Sequence, residues 1–423
     1  MIEEKPARDN FTNVFVFTTL SLCAAAQLIA GMSEFKLDFQ DTAIAFADKS
    51  NAELKEKYRL FRMLNSPVLN SIGSRAAQFA LSLGLPVEGL IKRTIFEQFC
   101  GGETIEECDR TIRQLGKACI GTILDYSVEG KATEEDFNRT KDEIIKTITR
   151  AKDDPDIPFS VFKVTGIAPL GTLERVSCKK RLDAKSQAKC ERIHNRIEEI
   201  CEYAYQSGQP TFIDAEETWI QDAIDRLATE MMERYNLERP IIFNTLQMYR
   251  TDRLQYLRSA HKTAKDHGYI LAVKLVRGAY MEKERERAAE MGYESPILPD
   301  KKATDKNFDA AVDYCLDHIK DIAFVAATHN EASTQTLVGK MHDRGVPKDH
   351  PHIFFSQLYG MGDNLSYVLA HNKYHTSKYV PYGPVRDAIP YLIRRAQENS
   401  SASGQVSREL ELIEKELKRR GLR

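Results

Sequence analysis

An α/β fold of the (β/α)8 barrel type, preceded by a helical arm, is the architecture this sequence predicts. Three observations carry that expectation. Eight short β-rich runs alternate with longer amphipathic, charged segments. Polar residues recur at the C-terminal ends of those runs, the end at which such barrels carry their sites. The chain has 423 residues and is 42% hydrophobic, enough to bury one large barrel core.

The strand runs are CIGTILDYS from 119, FSVFKVTGI from 159, PTFIDAE from 210 and PIIFNTLQMY from 240. They continue with ILAVKLVRGAY from 270, DIAFVAATHN from 321, HIFFSQLYG from 352 and TSKYVPYG from 376. Between them, EEDFNRTKDEIIKTITRA, AKCERIHNRIEEICEYAYQ, WIQDAIDRLATEMMERY, DRLQYLRSAHKTAKDHG and NFDAAVDYCLDHIKD place apolar residues at three- and four-residue spacings. These segments are predicted helices. Eight strands with helical returns fit a closed barrel better than a doubly wound sheet.

Ahead of the barrel, DTAIAFADKSNAELKEKYRLFRMLNS and SIGSRAAQFALSLGLP are predicted helices, separated by Ser66 and Pro67 and stopped by Pro86. This divides the chain into residues 1–33 of uncertain role, a helical arm over 34–90, a barrel over 91–400 and a charged C-terminal helix over 401–423. From Phe11 to Ser33 no side chain carries a formal charge. Three readings stay open for that stretch: a packed or interfacial helix, a membrane-spanning segment, or sequence upstream of the fold with Met32 as a start. Glu3, Glu4 and Asp9 are uncharacteristic of a mitochondrial presequence, and no signal for secretion or import stands out.

The net charge of -2 provides no basic surplus for phosphate backbones, so no nucleic-acid partner is expected. Eight cysteines contain no CxxC pair, which indicates reduced thiols and neither a disulfide framework nor a zinc site. His329 has no partner histidine at ligand spacing, so no metal is expected. No GxGxxG opens a helix after a strand, and Gly360-Met361-Gly362 reads as a tight turn.

The strand ends hold the chemistry. Asp214, Glu216 and Glu217 follow one run; Lys274, Arg277, Gly278 and Tyr280 follow another; Lys163, Gln247, Thr328, His329, Gln357 and Tyr379 close others. Each alone has a structural explanation, but their recurrence points to a pocket. Lys163 and Lys274 are candidate Schiff-base nucleophiles on this reading. In KLVRGAY two cations and a glycine share a strand end, a combination suited to a pyrophosphate.

Beyond the last strand, YLIRRAQEN, residues 391–399, forms an amphipathic helical pattern. Ala388, Ile389, Leu392, Ile393 and Ala396 form its apolar stripe, while Tyr391, Arg394, Arg395 and Glu398 share another face. A solvated charged face is one reading of the paired arginines.

KLVRGAY, ATHNEAS, QLYGMGD, KYVPYG, YLIRRAQEN, FIDAEE, FNTLQMY and GTILDYSVEG together, in order between about Ile91 and Asn399, resemble the flavin-dependent proline dehydrogenase family, in its monofunctional, eukaryotic-like branch. That resemblance implies a distorted (β/α)8 barrel with a final helix over its mouth. It implies FAD in the barrel, L-proline oxidised to Δ1-pyrroline-5-carboxylate, and electrons passed to a membrane quinone. Arg394 and Arg395 would clamp the proline carboxylate, for which two guanidinium forks are suited. Lys163 adds a third cation; Tyr280, Leu358 and Tyr379 wall the ring; Glu398 and Asp214 hold the cations. Asp214 and Lys274 are the implied catalytic pair. Gln247 and Lys274 fall to the isoalloxazine, Arg277, Gly278 and Ala279 to the pyrophosphate, Ala215 to a backbone contact, and Thr328 and His329 to further FAD contacts.

Lys274 departs from the arginine of the bacterial bifunctional branch, keeping the charge but losing bidentate geometry. FKVTGIAPLG leads to FIDAEE without the long insertion of animal members. This favours a compact bacterial enzyme, cytoplasmic and peripheral at the inner face of the inner membrane, with the matrix side of the mitochondrial inner membrane as the alternative. Relatives that oxidise hydroxyproline also share YLIRRAQEN, so Tyr379, a serine in that type, is the residue expected to distinguish the substrates.

Overall fold

The computed structural model describes residues 35–65, 89, 92–126, 132–178, 183–389, 391–392 and 405–423. The uncharged N-terminal stretch, the arm segment from Ser66 to Pro86, and Arg394, Arg395 and Glu398 lie outside the described residues.

Eight parallel strands close a barrel in sequence order. They are β1 (Gly121–Tyr126), β2 (Phe159–Phe162), β3 (Thr211–Ile213), β4 (Ile242–Gln247), β5 (Leu271–Val276), β6 (Ile322–Ala327), β7 (Ile353–Leu358) and β8 (Thr376–Tyr382). All eight predicted runs contain one. Closure is made by β1 and β8, whose register sets Ile123 beside Tyr379.

Along each strand every second side chain points inward. Phe159, Phe212 and Phe243 fill the interior with Ile123, Val161, Ala272, Ala323 and Val325. The Phe159 and Phe212 rings stack at 4.5 Å, and Phe243 meets both edge-on. The small Ala272 and Ala323 face these rings, so bulk on one side is balanced by space on the other. Two residues further on, the same inward face turns polar. Ile123 gives way to Asp125, Val161 to Lys163, Phe212 to Asp214, Phe243 to Thr245 and Ala272 to Lys274. An aromatic floor thus lies directly beneath a ring of charged groups at the mouth.

Helices cover the outside of the barrel. Among the described residues of the arm are α1 (Thr42–Ala45) and α2 (Asn51–Leu64), and α3 (Ile105–Lys117) leads into β1. The predicted continuous helix over 41–66 is corrected to two pieces. Ser50 starts a new helix with a capping box, its hydroxyl accepting from Glu53 N at 3.2 Å while the Glu53 carboxylate accepts from Ser50 N at 2.8 Å.

Further on come α4 (Glu134–Ala151), α5 (Leu170–Ser177), α6 (Ala184–Ser207), α7 (Thr218–Tyr235), α8 (Arg253–His267), α9 (Met281–Met291), α10 (Lys301–Asp317), α11 (Glu331–Asp343) and α12 (Asp363–His371). Caps move two predicted boundaries. Asp183 accepts from Ser186 N and starts α6 early, and Asp300 accepts from Ala303 N, placing the start of α10 before NFDAAV. The C-terminal α13 (Gln405–Arg419) packs on α2, with Leu412, Ile413 and Leu417 in one cluster with Leu54, Phe61 and Leu64.

Candidate active site

Asp214 is the centre of the polar ring. It follows β3 and is 8% exposed. One carboxylate oxygen takes a hydrogen bond and ion pair from Lys274 Nζ of β5. The other accepts the Tyr379 hydroxyl of β8 at 2.5 Å, with Lys163 Nζ at 3.9 Å. Lys163 also donates to both oxygens of Asp125 at 3.1 and 3.3 Å. Thr245 Oγ1 stands 3.5 Å from Asp214. Six strands therefore converge on two carboxylates and two ammonium groups.

Burial pushes the Asp214 carboxyl up, but the charges of Lys274 and Lys163 and the bonds from Lys274 and Tyr379 outweigh it, leaving it below its ordinary range. Asp214 is the ionised partner. Burial, together with the negative charges of Asp125 and Asp214, pushes the Tyr379 phenol well above its ordinary value, so the phenol is a neutral donor. Lys274 Nζ lies 4.9 Å from the Phe212 ring centre and 4.6 Å from that of Tyr379, two aromatic faces that favour a cation between them.

A second arrangement surrounds Gln247. Its amide donates to Glu216 O at 2.6 Å and its oxygen accepts from Ala279 N at 3.3 Å, tying the β3 end to the loop after β5. The Glu216 carboxyl accepts from Thr165 N at 3.0 Å and from the Thr165 hydroxyl. Burial raises its pKa from 4.5 to about 7 against those bonds. The Arg277 guanidinium donates to Asp305 at 2.7 Å, Thr328 Oγ1 at 2.5 Å and Ser333 Oγ at 2.8 Å, and lies over the Phe308 ring. His329 Nε2 accepts from Leu358 N at 3.3 Å. Arg277 and Thr328 thus act as one unit, as do His329 and Leu358.

The loop after β5 suits a phosphate-bearing cofactor. Gly278 has φ +130°, and a Cβ there would stand 2.6 Å from the Tyr249 ring. Gly278 and Ala279 are exposed, so a strip of bare backbone borders the mouth between Arg277 and the half-buried Tyr280. Exposed backbone at Gly278 and Ala279 next to the Arg277 cation is chemistry that a phosphate-bearing group would suit.

The structure brings together Asp214, Lys274, Lys163 and Tyr379, and separately Ala215, Gln247, Arg277, Gly278, Ala279 and Thr328 along the β3 to β6 ends. Asp125, Thr245, Glu216 and Thr165 complete the two arrangements without having been assigned roles. The strand-end rule that singled out Asp214 applies equally to Asp125. Among the described residues no group of histidine, cysteine, aspartate or glutamate side chains has metal-site geometry.

A closed parallel barrel whose C-terminal mouth carries a carboxylate-centred ring of cations defines a (β/α)8-barrel enzyme. The proline dehydrogenase family model matches residues 108–408. Proline dehydrogenase 1, mitochondrial, of Dictyostelium discoideum is 33% identical over 434 residues, covering 91% of this chain and 75% of that protein. The carbapenem antibiotics biosynthesis protein CarD of Pectobacterium carotovorum is 34% identical over 322 residues, 76% of this chain and 83% of its own. The fold matches the crystal structure of proline utilization A from Bdellovibrio bacteriovorus with a TM-score of 0.67 at 20% identity, over 86% of this chain and 38% of that one. The chain belongs to the proline dehydrogenase family.

Proposed function

We propose that the protein oxidises L-proline to Δ1-pyrroline-5-carboxylate with FAD held at the barrel mouth. The observation that carries this reading is Asp214, an ionised carboxylate joining Lys274, Tyr379 and Lys163 above an aromatic floor. Bound FAD would supply the hydride acceptor. Lys274, fixed by Asp214, would set a positive charge beside the flavin ring, where negative charge develops during reduction. Gln247 would orient the ring edge, Arg277, Gly278 and Ala279 would border the pyrophosphate, and Ala215, Thr328 and His329 would complete the cradle.

For the substrate, Tyr280, Leu358 and Tyr379 wall the pyrrolidine ring. Lys163 stands at the carboxylate end, and Arg394 and Arg395 clamp that carboxylate with Glu398 orienting them. Such a site excludes water and holds the amino acid in one pose. The Schiff-base alternative needs a lysine directed at a carbonyl carbon. Lys274 Nζ is instead bound to Asp214 between two aromatic faces.

Electrons would then pass to a membrane quinone, with the protein docked peripherally, at the inner face of a bacterial inner membrane or the matrix side of a mitochondrial one. Among the described residues no helix is long and apolar enough to cross a membrane. The Dictyostelium relative is named as mitochondrial.

Tyr379 supports proline over 4-hydroxyproline. Its hydroxyl is anchored on Asp214, so the ring cannot swing aside for an added hydroxyl without losing that bond. The test is the ratio of kcat/KM for L-proline and trans-4-hydroxy-L-proline. Preference for proline is expected, and a ratio favouring hydroxyproline would overturn the substrate assignment.

A further inference from the structure

The segment 358–363 leaves β7 at the mouth and carries Leu358 at its start. It is held from behind by four groups from distant parts of the chain. Lys378, the outward neighbour of Tyr379 on β8, donates to Met361 O at 2.6 Å, Asp363 Oδ1 at 2.7 Å and Leu358 O at 3.4 Å. Lys57 of α2 takes the other Asp363 oxygen at 2.5 Å. Glu409 of α13 accepts the Gly362 N–H at 2.5 Å, and Gln98 donates to Gly360 O at 2.8 Å. Gly360 has φ +79°, and a Cβ there would lie 2.0 Å from Gln98 O, so only glycine permits this approach.

The cluster is sealed from solvent: Lys378 and Glu409 are 1% exposed, and Lys57 and Asp363 5%. Glu409 is the unusual member. Its second oxygen, Oε2, is buried with no hydrogen-bond partner. A carboxyl buried in this way is costly to fold, and an apolar side chain would fill the space more favourably if packing were its purpose. What Glu409 provides that an apolar residue cannot is a fixed acceptor for one backbone N–H of the loop.

We propose that Glu409 is a positioning residue: through Gly362, and in concert with Lys57 on Asp363, the two ends of the chain set the place of Leu358 and so the affinity for proline. The inference rests on reading Leu358 as a wall of the substrate site. It assigns α13 a part in substrate binding although the helix lies outside the barrel.

The test compares FAD-loaded wild type with Glu409→Ala, Glu409→Gln and Lys57→Met, measuring kcat and KM for L-proline, flavin content and melting temperature. Glu409→Ala should raise KM by about tenfold while kcat changes less, the size expected when a buried N–H loses its acceptor. Glu409→Gln keeps an oxygen for Gly362 N and should restore KM to within about twofold of wild type. A lower melting temperature with unchanged KM in Glu409→Ala would assign α13 a purely structural role and overturn the inference. Should that variant fail to fold, Lys57→Met decides: a smaller rise in KM of the same kind supports the inference, and an unchanged KM overturns it. A wild type without proline activity would sink the functional reading and this inference together, whereas an active wild type with insensitive variants sinks the inference alone.

Discussion

At the mouth, Asp214 lies among Lys274, Lys163 and Tyr379; behind β8, Asp363 lies between Lys378 and Lys57. Both are one aspartate held by two lysines. They differ in what lies beyond the lysines. At the mouth the Lys163 side chain is 25% exposed and the bare backbone at Gly278 and Ala279 borders the site. Behind the strand, the Lys57 and Lys378 side chains are 5% and 1% exposed, and Lys378 is fully engaged with loop carbonyls and Asp363. The same ion-pair chemistry is left open to a ligand at the mouth and fixes a backbone where it is closed. Lys378 and Tyr379, adjacent on β8, divide the two tasks because alternate strand residues face opposite sides.

The largest effect should come from Asp214→Ala, which leaves Lys274 buried without its counter-charge; a loss of roughly 3–5 kcal/mol is typical for such a break. We expect kcat/KM for proline to fall by roughly a hundredfold or more in protein that still folds. The parallel change Asp363→Ala should appear first as lower stability in denaturant unfolding. Equal activity losses per folded molecule in the two variants would erase the distinction between an open and a closed cluster.

Next in size is the proposed carboxylate clamp. Replacing Arg394 or Arg395 by Met should leave FAD bound and raise the proline KM, lowering kcat/KM by about 2–4 kcal/mol. Values within about twofold of wild type for both variants, about 0.4 kcal/mol, would return the pair to a solvated face, and loss of FAD would assign the helix to another ligand.

A third effect concerns pH. The Glu216 carboxyl is raised from 4.5 to about 7 by burial, so between those values the folded protein keeps a proton that the unfolded chain has released. Stability from this group is therefore full below about pH 4 and declines as pH rises towards 7, by up to about 3 kcal/mol. Asp214, held below its ordinary value, acts in the opposite sense: its contribution is present above its unfolded pKa and is lost as pH falls through its folded one. Melting curves of wild type and Glu216→Gln between pH 5 and 8 separate the two, because the amide stays neutral throughout. A pH dependence that survives unchanged in Glu216→Gln would exclude Glu216 as its source.

The smallest effect is on selectivity. Tyr379→Ser should shift the proline to hydroxyproline ratio of kcat/KM by about tenfold towards hydroxyproline, the range set by relieving one contact in a pocket. An unchanged ratio would remove Tyr379 as the cause of any preference.

Much of the barrel was legible because its strands are short apolar runs with polar ends, and Asp214, Lys274, Lys163 and Tyr379 all obey that pattern. Helices without a clear apolar stripe were not. In α9 only Glu284 and Ala288 are buried, and in α12 every residue from Asp363 to Ala370 is, so neither shows the contrast a periodic reading needs. The cluster around Asp363 was invisible for another reason. Lys57 and Asp363 are 306 positions apart, and only the folded barrel brings the arm to the loop. Asp363 and Lys378 stood inside QLYGMGD and KYVPYG, where neighbouring residues drew the assignment.

The most direct measurement of the central assignment is the visible spectrum of the purified protein under anaerobic conditions before and after L-proline is added. A yellow protein with flavin bands that bleach on addition of proline is the expected result. A colourless protein, or flavin bands that proline leaves unchanged, would contradict it.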